Sequence, residues 1–344
     1  MHWPRLAAMT LGALAKSSIL RIVPQGLPPH LCAPVLTYHA CYPVAPPNVE
    51  SIDNIDPQSL YEQLSALKRH FQFIPVDELS KARSLNGLAS VTFDDAYKGV
   101  IRHALPVLTS LDIPLTIFVN TSTLQGSVHW RHKVVYIIRQ GLAKQVDDAS
   151  VENNDYYQAW KQPRYDSGKL VERIDAVLRS RNVTLENHLF DDESCFVRHP
   201  LVWYGNHSHS HYVLSSLSRS RQLEEVLACK RSLEKVPGIQ TSKVFALPFG
   251  ETRHCNMDTF GVVRDLGYTT LLMNRGGVNM GSLLRQDGLT IIERFSPAAA
   301  PIDWQVKKEC AKTLIRSARN RFRQPAGDPT AVKRGAAVQP AKGQ

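Results

Sequence analysis

Apolar residues along the chain fall into short runs separated by amphipathic stretches. APVLTYHA (33–40), ASVTF (89–93), IPLTIFVN (113–120), LVWYGN (201–206), SKVFALPFG (242–250), YTTLLM (268–273) and LTIIERF (289–295) read as buried strands. Between them SLYEQLSALKRHF (59–71) carries Leu60, Leu64 and Leu67 at helical spacing, and VIRHALPVLTSL (100–111) reads as a second helix. SRSRQLEEVLACKRSLEKV (218–236) starts at an N-cap Ser218, and MDTFGVVRDLG (257–267) is ended by Gly267. Strand and helix alternating at this spacing predict an α/β protein with a parallel sheet and crossover helices. Seven or eight strands, most followed by a helix, fit a (β/α) barrel better than an open sheet. In such a barrel the chemistry collects at the C-terminal ends of the strands.

Three segments break the rhythm. Residues 129–200 are polar and largely helical, with DDASVENND as a loop and KLVERIDAVLRSR as a helix, and read as an insertion or lid on a barrel spanning 33–310. Residues 1–32 form a leader in which Arg5 precedes LAAMTLGALA; both a very short signal peptide and an amphipathic helix lying on the body or on a membrane fit it. The tail, 311–344, holds eight basic residues and one acid (Asp328), hence +7 of the net +10 in 344 residues, and reads as a solvated, unstructured end. Its sharper reading is peripheral contact with an anionic membrane surface or attraction to an acidic polymer. Only Phe322 is interleaved with those charges, which argues against nucleic acid as a partner. The six cysteines are scattered, with no Cys-x-x-Cys pair, so no disulfide framework is expected; a reducing, cytoplasmic or inner-membrane-peripheral setting is favoured over the periplasm.

The chemistry-bearing residues sit at strand ends. Asp94 and Asp95 close the strand ASVTF, and both reach one site only if the backbone turns there, because neighbours on a continuing strand face opposite sides. His207, His209 and His211 follow LVWYGN. On a helical turn His207 and His211 share a face while His209 points away; on a continued strand all three share one. Two of these histidines plus one aspartate give a divalent ion three protein ligands and an open position, the pattern of a catalytic metal. Pro248-Phe249-Gly250 forms a loop after the next strand.

In this order, TFDD (92–95), HSHSH (207–211) and LPFG (247–250) resemble the polysaccharide deacetylase family, carbohydrate esterase family 4, over roughly residues 33–296. The resemblance implies a distorted (β/α) barrel, often of seven strands, that hydrolyses an N-acetyl, sometimes O-acetyl, group on a sugar. It implies Asp94 as general base, Asp95, His207 and His211 as ligands of a divalent metal, commonly Zn2+, and a backbone N–H, that of Phe249, facing the oxyanion. It also implies a carbohydrate partner, with cell-surface polysaccharide biosynthesis as the setting. The chain departs from the family pattern in three places. Ala246 stands where an arginine orients the base, Ala96 where glycine follows the Asp pair, and no histidine follows His254 to serve as general acid. Arg294 and His39, each at a strand end, are the candidates to orient the base and to offer a proton. An inactive carbohydrate-binding homologue and a glycoside hydrolase are the alternative readings.

Overall fold

The structure is a computed structural model, and it describes residues 31–49, 53–148, 151, 155–298 and 300–323. The leader up to residue 30, the tail beyond 323 and most of the DDASVENND loop lie outside the described residues.

Seven parallel strands run side by side in chain order: β1 (Val35–Tyr38), β2 (Leu88–Phe93), β3 (Leu115–Val119), β4 (Val202–Asn206), β5 (Gln240–Ala246), β6 (Thr270–Met273) and β7 (Leu289–Glu293). Past the end of β7 the backbone meets β1 again. Thr37 N donates to Phe295 O at 3.0 Å and Phe295 N to Val35 O at 3.2 Å, so the first and last strands join and the sheet curls into a barrel. Four short strands among the described residues sit outside it: Gln72–Phe73 on β2, Leu284–Gln286 antiparallel to β7, and Ala40–Cys41 paired with Asn54–Ile55.

The strands are apolar nearly throughout because parallel strands in a barrel are covered on both faces; β1, β3 and β6 are buried at every position. The helices are signalled as the sequence predicts. In α1 (Pro57–Lys68) Asp56 caps the Ser59 amide and Leu60, Leu64 and Leu67 are buried. The second helical stretch begins as a π-helical turn, Val100–Ala104, and continues as α2 (Leu105–Ser110). α5 (Arg219–Lys235) starts at the Ser218 cap, and α6 (Met257–Asp265) at a capping box between Asn256 and Thr259.

The insertion carries α3 (Trp130–Arg139) and α4 (Ser167–Ser180), with shorter helical turns at Ala143–Val146 and Tyr156–Ala159. It has its own apolar centre around Trp130, Ile137, Trp160, Leu170 and Ile174. The terminal helix α7 (Ile302–Arg323) differs from expectation: residues 311–323, read above as part of an unstructured tail, are helical. Its apolar positions Ile302, Val306, Cys310 and Ala311 are buried against the barrel, and packing of such a stripe is what stabilises a helix of weak local signal. Among the described residues no helix is long and apolar enough to cross a membrane.

Candidate active site

The ends of β1, β2, β4, β5 and β7 converge on a cavity of about 300 Å³. The chain turns sharply after β2, with Asp95 at φ +68° and Ala96 at φ +58°. Two consecutive left-handed residues rotate the second carboxylate to the same side as the first. This is also why glycine suits position 96, and why alanine there carries some strain.

Asp94 and Asp95 are both buried, yet their surroundings differ. Arg294 leaves β7 fully buried and meets Asp94 in a bidentate pair, Nη1 to Oδ1 at 2.8 Å and Nη2 to Oδ2 at 2.8 Å, while Nη1 also reaches Thr92 Oγ1 at 3.1 Å. Burial alone would raise the Asp94 pKa, but Arg294, His207 and His39 outweigh it and hold the carboxyl below the usual range. Asp95 has no such clamp. Its Oδ1 lacks any hydrogen-bond partner among the described residues, and three imidazole nitrogens surround it: His211 Nε2 at 3.4 Å, His129 Nε2 at 3.6 Å and His207 Nε2 at 3.7 Å. Burial opposes its ionisation too, and His211 and His129 override it.

The histidine loop is neither a helical turn nor a continued strand. Ser208 and His211 adopt φ +63° and +57°. Asn206 Oδ1 accepts the Ser208 amide at 2.8 Å, and Ser208 Oγ accepts the His211 amide at 3.1 Å, so side chains take the backbone donors a helix would have used. His207 and His211 are thereby brought together by a loop. His209 turns away, its Nδ1 on Thr121 Oγ1 at 3.0 Å. His207 Nδ1 donates to Ala246 O at 2.8 Å, which fixes the tautomer with the Nε2 lone pair aimed at Asp95. Burial pushes the pKa of His207 below the ordinary imidazole value and that of His211 well below it, so both rings are neutral and able to ligate at neutral pH. Ligand atoms of Asp95, His207 and His211 lie within 4.8 Å of one another. An orphaned buried carboxylate oxygen facing two neutral imidazoles fits a divalent cation, since a cation supplies the missing partner.

Phe249 sits at φ +62°, an uncommon conformation for an aromatic residue, with its ring against His211 and His254. Gly250, at φ +73°, packs so closely on Asn274 that a Cβ would meet its backbone N at 2.5 Å. His39 lines the same cavity. Tyr38 and Phe249 also line the cavity.

Sequence reasoning missed the contribution of the insertion. Trp130 Nε1 donates to His211 O at 2.9 Å, and Arg131 reaches Asp53 Oδ2 at 2.6 Å and Asp95 Oδ2 at 3.5 Å. The one available signal is HWRHK (129–133), a dense basic and aromatic cluster opening an otherwise ordinary helix.

Two buried histidines outside this cluster predict a pH response. Burial, with nearby positive groups, drives the pKa of His132 well below the imidazole range and that of His254 down to about 3. The unfolded chain takes up these protons near pH ~6.5. Stability is therefore retained above that value and falls as pH drops below it, by up to about 1.4 kcal/mol per group per unit. Thermal midpoints measured from pH 7.5 to 5 are expected to decline; a flat profile contradicts these environments.

A clamped carboxylate beside an Asp-His-His cluster thus stands at the strand ends of a (β/α) barrel. Residues 196–271 match the family model described as Polysaccharide deacetylase. The fold is shared with IcaB from Ammonifex degensii, at 20% identity and TM-score 0.51 over 82% of this chain and 97% of that one. It is shared too with BC0361, a polysaccharide deacetylase from Bacillus cereus, at 15% identity and TM-score 0.50 over 80% of this chain and 68% of that one. No curated protein sequence matches the chain.

Proposed function

We propose that the protein is a divalent-metal-dependent hydrolase that removes N-acetyl groups from a glycan, with Zn2+ as the favoured ion and cell-surface polysaccharide modification as its setting; an O-acetyl group is open to the same chemistry. The observation that carries this reading is the division of labour between two adjacent carboxylates. Both oxygens of Asp94 are occupied by Arg294, while Asp95 Oδ1 has no partner and faces His207 and His211.

Asp95, His207 and His211 hold the ion, which supplies Lewis acidity toward a water and an acetyl carbonyl. Asp94, kept ionised by Arg294, accepts the proton of the attacking water. The backbone N–H of Phe249, in a loop pinned on Asn274, donates to the carbonyl oxygen as it gains charge. His39, on the cavity wall, gives a proton to the departing amine in place of the absent C-terminal histidine. Arg294 takes the orienting role that Ala246 cannot fill.

Elemental analysis of purified protein tests this reading. About one divalent ion per chain is expected in the wild type and in His209→Ala, and none in the His207→Ala, His211→Ala double variant. Metal retained by the double variant, or lost from His209→Ala, refutes the ligand assignment.

A further inference from the structure

His129, the first residue of the insertion, stands behind the proposed metal-binding carboxylate. It is the N-cap of α3, and its Nδ1 accepts the Arg131 amide at 3.2 Å. A neutral imidazole has one donor and one acceptor nitrogen, so the ring proton of His129 lies on Nε2. That nitrogen is buried, has no hydrogen-bond partner among the described residues, and points at Asp95 Oδ1 from 3.6 Å. His207 has the opposite arrangement. Its Nδ1 is the donor, to Ala246 O, and Nε2 presents a lone pair. The same carboxylate oxygen thus faces an acceptor nitrogen from β4 and a donor nitrogen from the insertion. A carboxylate oxygen has two lone-pair sites, enough for one cation and one N–H donor. The other oxygen, Oδ2, is approached by Arg131 Nη1 at 3.5 Å, and Arg131 is itself anchored on Asp53.

We infer that His129 is a positioning residue: its Nε2–H, together with Arg131, orients the Asp95 carboxylate for the metal from outside the ligand set, so that the insertion completes the metal site. The inference rests on the metal-dependent reading above. Shortening 3.6 Å to an ordinary N–H···O separation of about 3.0 Å is a shift of a few tenths of an ångström on each side. Outer-shell donors of this kind hold ligand orientation, and their loss costs about 10–100-fold in metal affinity.

Two substitutions separate the cap from the donor. His129→Asn keeps an N-cap acceptor for the Arg131 amide but is too short to reach Asp95. His129→Gln is a poor cap with an amide N–H of longer reach. Metal-free full-length protein is titrated with Zn2+ against a chromophoric chelator, and Co2+ absorption is recorded on each variant. His129→Asn is expected to bind Zn2+ about 10–100-fold more weakly than wild type, and His129→Gln to recover most of that loss. The Co2+ spectra of wild type and His129→Gln are expected to coincide in position and intensity. Wild-type affinity in His129→Asn overturns the inference, and so does a Co2+ spectrum in His129→Gln altered as by loss of an imidazole ligand. Absence of Zn2+ binding by the wild-type protein is a different result: it removes the metal reading, and this inference with it.

Discussion

Asp94→Asn is expected to lower kcat by about 10²–10⁴-fold, the usual contribution of a positioned general base, while leaving the metal content at the wild-type level. The amide keeps the size of the side chain and one acceptor oxygen for Arg294, but it cannot take a proton at neutral pH. The reason for expecting different roles of the two carboxylates is structural. His207 Nε2 lies 3.6 Å from Asp94 Oδ2, about as near as it is to Asp95 Oδ1, so distance alone does not choose between the two carboxylates. Occupancy does: Asp94 already receives two charge-assisted hydrogen bonds from Arg294, and Asp95 Oδ1 receives none. Steady-state kinetics with metal analysis on one preparation checks this. Parallel loss of metal and activity places Asp94 among the ligands.

Arg294→Leu is expected to have the largest effect on stability. The guanidinium is fully buried, and removing it strands the Asp94 carboxylate in the barrel, at a cost of about 3–5 kcal/mol. The same change raises the Asp94 pKa, because Arg294 is the strongest of the groups holding it down against burial. Residual activity is therefore expected to appear only at higher pH, with the acid limb of the pH–rate profile moved upward. Pairing the substitution with Asp94→Leu removes the stranded charge, and the double variant is expected to recover much of the lost melting temperature. Wild-type stability and an unmoved acid limb in Arg294→Leu contradict the pairing.

How much of this is legible in the residues depends on whether a feature is local. The strands could be read because parallel barrel strands are apolar on both faces, which leaves uninterrupted runs such as LTIFV (115–119). Asp94, Asp95, His207 and His211 stood out as polar residues closing such runs, and Arg294 as a charge following LTIIE. The path of the loops was not legible. Asp95, Ala96, Ser208 and His211 all take left-handed backbone angles without being glycine, and only the surrounding hydrogen bonds dictate that. His129 and Arg131 were missed because they act from an insertion with a separate apolar core, through contacts of 34 or more residues in separation, and no spacing rule links them to Asp95. The terminal helix was misjudged from residue 311 onward because its many basic residues mask the stripe Ile302, Val306 and Cys310 that packs on the barrel.

Metal-dependent deacetylation is tested by measuring acetate release. Purified protein is incubated with N-acetylated oligosaccharides, with and without a chelator, and free acetate and new reducing ends are both quantified. The expected result is acetate without new reducing ends, abolished by the chelator and restored by Zn2+. New reducing ends without acetate, or acetate release that persists in metal-stripped protein, would contradict it.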